Sequence, residues 1–300
     1  MKFSLMSTGW NDSERSIIPF FNPLKFEAMS CILAPVNFSQ ASDNAAYYAA
    51  SLAKHLDLPL ILLHVVPVPL SIPPVPLPGE MFDQLRNDAY QRLQQLAATL
   101  NEVMDIKARL EVELGSLGFQ LETSIRNFTP EIVVMGISRE SATRVIFSSN
   151  VFESLKQLSV PLVVVGEDVQ YEPVQKIAMA FDFDTSIISL PSDAVIRYCT
   201  LYRCALDIVH VNQSSNKPDI EKVKALWNLL PGIETDVQFI DDEIVEEGLH
   251  RYFEMHNAQQ LMLLPKHHGF FEFHSSETKR LLWKFKVPVV VIKESPKGKR

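Results

Sequence analysis

Val160-Pro161-Leu162-Val163-Val164-Val165 and Val287-Pro288-Val289-Val290-Val291-Ile292 are near-copies of one another. Each follows a helix-like stretch opened by a serine pair, Ser148-Ser149 and Ser275-Ser276, and both features recur at an offset of 127 residues, from Val160 to Val287. A chain that ends each half alike reads as two copies of one unit. Its 300 residues suit two units better than one, and 47% hydrophobic content supplies two cores.

Outward from these runs, apolar segments and helical patterns alternate. Cys31 to Val36 is a short apolar run broken at Asn37-Phe38-Ser39, and Ser39 is placed to cap a helix with Ala45, Ala49, Leu52, Ala53 and Leu56 on one face. Leu60 to Val66 is continuously apolar, as a strand buried on both faces must be. Six prolines between Pro67 and Pro78 exclude regular structure. An amphipathic helix carrying Met81, Leu85, Ala89, Leu93, Leu96 and Leu100 follows. Leu110 to Leu114 is the third strand. Leu121, Ile125 and Phe128 mark a helix ended by Pro130, and Ile132 to Met135 is a strand reaching Gly136. The Ser148 helix and the strand Pro161 to Val165 complete the half.

The second half repeats the order: strand Ile177 to Phe181, helix Pro191 to Cys204, strand Leu206 to Val211, and a helix with Ile220, Val223 and Trp227 aligned. Strand Asp236 to Ile240, a helix with Ile244, Leu249 and Phe253 on one face, strand Leu261 to Leu264 and helix Ser275 to Phe285 lead to the last strand. Such alternation implies α/β units with parallel sheets and helices on both faces. The expected divisions are an N-terminal arm at 1–28, a first domain at 29–168, a second at 174–293 and a basic tail at 294–300.

A net charge of −8 argues against nucleic-acid backbone binding. Cys31, Cys199 and Cys204 lack metal-type spacing, and an odd count points to reduced thiols and a cytoplasmic setting. No apolar run is long enough to span a bilayer. His250, His256, His267, His268 and His274 lack ligand spacing and read as solvated histidines. Asp241-Asp242-Glu243 and Glu246-Glu247 read as helix-start carboxylates favoured by the macrodipole. No nucleophile elbow, complete Walker loop or defensible Ser/His/Asp set is present, so no catalytic residue is assigned.

Ile32-Leu33-Ala34-Pro35-Val36-Asn37-Phe38-Ser39, the strand ending Leu62-Leu63-His64-Val65, and Ile132-Val133-Val134-Met135-Gly136 resemble, in order, the strands and first loop of universal stress proteins. The resemblance is strong over 29–168 and weaker over 174–293, so the chain resembles a tandem member. It implies a five-stranded parallel sheet of order 3-2-1-4-5 in each half, and an ATP or AMP site at the switch between strands 1 and 4. It also implies that the two valine-rich last strands meet across a pseudo-twofold axis as an internal dimer.

Carried onto this sequence, the base belongs near Pro35, Asn37 and the backbone of Val65, and the phosphates near Gly136, Arg139, Ser148 and Ser149. Gly136 matches the first glycine of the phosphate loop, but Arg139 and Ser148 replace the other two and the loop is one residue short. Asn37 stands where the family often carries aspartate. A serine N-cap on an ordinary helix is the plainer reading of Ser148-Ser149. The second-half counterparts are Asp182, Val211, Ser275 and Ser276, with Pro265 at the first glycine position and an aromatic loop at 270–273. The expectation is a non-catalytic cytoplasmic stress-response protein with a degenerate adenine-nucleotide site and no required cofactor, ATP or AMP being the candidate ligands. The alternative is a nucleotide-free scaffold or partner-binding pseudo-dimer, with a protein partner and a further homodimer left open. Slow ATP hydrolysis lacks an apparent metal-holding or base residue.

Overall fold

A computed structural model describes residues 30–68, 79–138, 160–183, 190–213, 219–264 and 286–293. The N-terminal arm, the proline-rich segment from 69 to 78, the Ser148 and Ser275 helices with their preceding loops, and the basic tail lie outside these residues.

Ten strands form one sheet: β1 (Ile32–Pro35), β2 (Leu60–Val66), β3 (Ala108–Leu114), β4 (Ile132–Ile137), β5 (Leu162–Gly166), β6 (Lys176–Ala180), β7 (Ala205–Asn212), β8 (Thr235–Asp241), β9 (Gln260–Leu263) and β10 (Val289–Val291). Their spatial order is β3-β2-β1-β4-β5-β10-β9-β6-β7-β8. Each half is therefore a parallel sheet of order 3-2-1-4-5. The halves join where β10 runs antiparallel to β5, Val289 opposite Val164 and Val291 opposite Leu162. The two repeated valine runs are thus direct neighbours in one ladder.

Strand alternation makes two cores, one on each face. Ile32, Ala34, Leu60, Leu62, Val163 and Val290 point to one face, and Leu33, Ile61, Leu63, Val164 and Val289 to the other. The first face is covered by α1 (Gln40–Leu56), α2 (Gly79–Met104), α4 (Ser192–Tyr202) and α5 (Ile220–Asn228), the second by α3 (Leu117–Phe128) and α6 (Val245–Met255). Both cores run through the junction of the halves.

Three helical faces differ from the sequence pattern. Only Ala89, Leu93 and Leu100 of the 26-residue α2 are buried, while Met81 and Leu85 in its first turns are exposed. In α5 the inward residues are Val223 and Leu226, and Ile220 and Trp227 face outward. Ile244 is the exposed N-cap of α6, outside its apolar stripe. Glu246 is also unlike the solvated carboxylate expected there, since it is buried at 4% exposure.

Buried polar groups tie the halves together. Tyr198 of α4 donates to Gln260 Oε1 at 2.8 Å, and Gln260 Nε2 donates to the hydroxyl of Tyr48 in α1 at 3.1 Å. Burial pushes both phenols well above their ordinary pKa, so they stay protonated. Nearer the surface, Arg197 meets Glu131 at 2.6 Å. Asn44 Nδ2 donates to the carbonyls of Gly166 and Val169, both at 2.8 Å, holding the start of the connecting segment against α1.

Candidate functional site

At the C-terminal edge of the first half, β1 and β4 are parallel neighbours with β2 and β3 on one side and β5 on the other, so the strand order reverses between them, the place where open α/β sheets bind ligands. Pro35 is buried at the end of β1 opposite Leu63, and the Val36 N–H donates to Leu63 O at 2.8 Å. Asn37 is exposed. Its N–H donates to Ser42 Oγ at 3.2 Å, and its Oδ1 accepts from the Ser39 N–H at 3.1 Å. Ser39 caps α1 in a reciprocal capping box with Ser42, which satisfies the N–H groups of both serines. Asn37 is left at the rim with its amide tied to that turn, and Val65 is half-buried beside it at the end of β2.

Beneath the rim sits a pair the sequence reading passed over. Phe38 takes a left-handed backbone, φ 60°, that lays its ring 4.4 Å from His64, and the Arg92 guanidinium lies 4.1 Å above the same ring. His64 Nδ1 is 2.7 Å from the Val36 carbonyl, which can only accept, so Nδ1 carries the proton. Burial, helped by the Arg92 charge, lowers the His64 pKa from 6.5 against the raising effect of that carbonyl. The unfolded chain therefore takes up a proton at this ring more readily than the folded one. The stability that His64 contributes is complete above pH 6.5 and is lost as pH falls through the lowered native value. Urea unfolding at pH 7.5 and 5.5 should show a smaller loss for His64→Gln than for the wild type. Equal losses would remove His64 from the acid response.

Gly136 has a packing cause. It lies inside β4, paired with Val165, and a Cβ there would stand 2.0 Å from Ala41 O and 2.8 Å from Ser42 N. The missing side chain lets the first turn of α1 rest on the β4 backbone, and this seats the Asn37 loop over the β1/β4 switch. Arg139, Ser148 and Ser149, expected around the phosphates, lie outside the described residues.

The second half repeats the plan with tighter closure. His210 Nδ1 is 3.0 Å from Phe181 O, as His64 is bonded to Val36 O. Phe183 corresponds to Phe38 but is fully buried, with Phe181 at 5.2 Å, His210 at 5.3 Å and Phe239 at 6.1 Å. Lys222 Nζ donates to Phe183 O at 2.9 Å. Asp182 is half-buried beyond β6. Val211 is only 8% exposed, because Gly248 brings α6 so close that a Cβ would stand 2.5 Å from Val211 Cγ1. Ser275 and Ser276 lie outside the described residues. The recurrence of Phe38 and His64 as Phe183 and His210 was the available signal for this aromatic pair; no signal in the sequence points to Gly248.

Among the described residues no group of three His, Cys, Asp or Glu side chains is arranged to hold a metal ion, and no helix is long and apolar enough to cross a membrane.

The universal stress protein family profile matches residues 29–166. That segment belongs to the universal stress protein family. Among curated proteins none matches the sequence. A solved universal stress protein from Archaeoglobus fulgidus DSM 4304 superposes with a TM-score of 0.60 at 17% identity, covering 88% of this chain and 96% of that one. A protein of the same family from Burkholderia pseudomallei matches with a TM-score of 0.37 at 19% identity, over 47% of this chain and 98% of that one. The first match shows that the fold extends well beyond the universal stress protein domain of the first half. The strand order of β6 to β10 is the local form of that likeness.

Proposed function

We propose that the protein is a non-catalytic stress-response protein whose first half holds one adenine nucleotide, in a degenerate form of the family site. The base lies against Pro35, Asn37 and the Val65 backbone, and the phosphates extend past Gly136 toward Arg139, Ser148 and Ser149. The observation that carries this reading is the contrast at the end of the second strand of each half. Val65 is half-buried beside an exposed Asn37, whereas Val211 lies under α6 and Phe183 is sealed among aromatic rings. The universal stress protein family supports the role in stress response.

Calorimetric titration of the whole chain with ATP and AMP tests it. Asn37→Ala removes one hydrogen-bonding side chain and lowers affinity about fivefold, while Asp182→Ala leaves it unchanged. Absence of heat at millimolar nucleotide would sink the reading. In that event the nucleotide-free scaffold stands, supported by the junction of β5 with β10, which we read as an internal dimer.

A further inference from the structure

Cys199 and Cys204 meet across the turn that ends α4. The helix stops where Arg203 takes a left-handed backbone, φ 53°, and the chain folds back over the last helical turn. The Arg203 N–H donates to Thr200 O and the Cys204 N–H to Cys199 O, both at 3.2 Å. This nested pair of bonds draws the side chains of residues 199 and 204 together, a contact that two apolar residues ordinarily make. Here both are cysteines. The two thiols hydrogen-bond to one another, and Cys204 Sγ lies 3.8 Å from the Cys199 carbonyl oxygen. Both are free thiols; Cys199 is fully buried, and Cys204, at 7% exposure, is the outer of the pair. Cys31 is the contrast. Its thiol bonds to the Phe128 carbonyl, and burial pushes it up to about 11. The bond from Cys199 instead holds the Cys204 thiol below its ordinary range against the raising effect of burial, and the same bond raises Cys199.

We propose that Cys199 and Cys204 form a redox-active dithiol, which hydrogen peroxide converts to a disulfide closing the end of α4 onto the start of β7. The Cys204 thiolate attacks one peroxide oxygen, the O–O bond breaks, and the other oxygen takes a proton and leaves as water. Cys204 is then a sulfenic acid. The Cys199 sulfur attacks that sulfur and gives up its proton, and the oxygen departs as a second water. Two thiols are oxidised and one peroxide is reduced. The turn already holds the two side chains together, so the bond forms without unfolding the helix end. Its place has a consequence for the whole chain, because Tyr198, the neighbour of Cys199, carries the link through Gln260 to the first half. The proposal does not rest on the nucleotide reading.

The whole chain, reduced and then freed of reductant, is treated with hydrogen peroxide, unfolded, alkylated with iodoacetamide and digested with trypsin. Arg203 lies between the two cysteines, so cleavage after it separates them unless a disulfide joins their peptides. The expected product is one linked species, lighter than the two reduced peptides together by about two daltons and split by dithiothreitol. Cys31 should be lost to oxidation at least about tenfold more slowly. Cys199→Ser keeps a hydrogen-bond donor but removes the second sulfur, so Cys204 should then accumulate as a sulfenic acid that dimedone captures. Full alkylation of Cys199 and Cys204 after peroxide, equal loss of Cys31, or disulfides only between separate chains would each overturn the proposal. Absence of the dimedone adduct in a folded Cys199→Ser chain would overturn the assignment of Cys204 as the attacking thiol.

Discussion

Gly136→Ala should cost the protein about 3 kcal/mol or more, close to the upper end for an overpacked site. The new Cβ would meet backbone, with Ala41 O at 2.0 Å and Ala41 C at 2.4 Å, and backbone in the first turn of a capped helix has no alternative rotamer. Relief requires α1 to lift off β4. Doing so strips cover from Ala45, Ala49 and Leu52, all fully buried, and breaks the seat of the Asn37 loop. Against a total stability of about 5–15 kcal/mol this is a large fraction. Gly79→Ala is the matched control. Nothing lies within 4 Å of its added Cβ, and it sits in the first turn of α2, so the change should be within about 1 kcal/mol on the stabilising side. Urea midpoints read both variants. Equal midpoints for Gly136→Ala and the wild type would mean that α1 does not rest on β4 as described.

Gln260→Leu should be the second large loss, about 2–4 kcal/mol. Gln260 is fully buried at the start of β9, and its two ends bridge Tyr48 in one half to Tyr198 in the other. Leucine fills similar space but removes one acceptor and one donor, leaving two buried phenols to find other partners. Tyr198 retains Tyr202, whose hydroxyl lies 3.3 Å away, which keeps the loss below two full desolvation penalties. Tyr48→Phe deletes one arm only and should cost about 1 kcal/mol. In a double-mutant cycle the two changes should be strongly non-additive, because Tyr48→Phe removes a hydroxyl that Gln260→Leu has already stranded. Additive losses would show that the bridge does not couple the halves.

The strands were legible because each is an apolar run long enough to be buried on both faces, and the valine repeats named the pair that joins the halves. Ser39 was legible as a cap because its hydroxyl is followed at once by an alanine-rich face. Helix ends were harder to read. Those of α1, α3 and α4 close on left-handed Asp57, Thr129 and Arg203, where a sequence reader looks for glycine. Periodicity placed Met81 and Trp227 on apolar stripes, yet whether a stripe is covered depends on what the fold packs against it. Gly136 matched a family motif, and the chain gives a different physical reason for it, the approach of the first turn of α1 at Ala41 and Ser42, far earlier in the sequence. Gly248 has the same kind of cause and carried no signal. Close approaches of this type are tertiary facts with no local pattern.

The two halves share strand order, the His-to-carbonyl bond and the ring stacked near it. They differ in what covers the strand ends. In the first half a loop held by Ser39 and Ser42 leaves Asn37 exposed beside Val65. In the second, Gly248 sets α6 against Val211 and Phe183 is fully buried, so the copied fold leaves its two sets of strand ends unequally covered.

Nucleotide stoichiometry tests that asymmetry most directly. Equilibrium dialysis of the whole chain against labelled ATP, taken to saturation, should give one nucleotide per chain, and Asp182→Ala should leave that number unchanged. Two nucleotides per chain, or one that disappears with Asp182→Ala and survives Asn37→Ala, would contradict it.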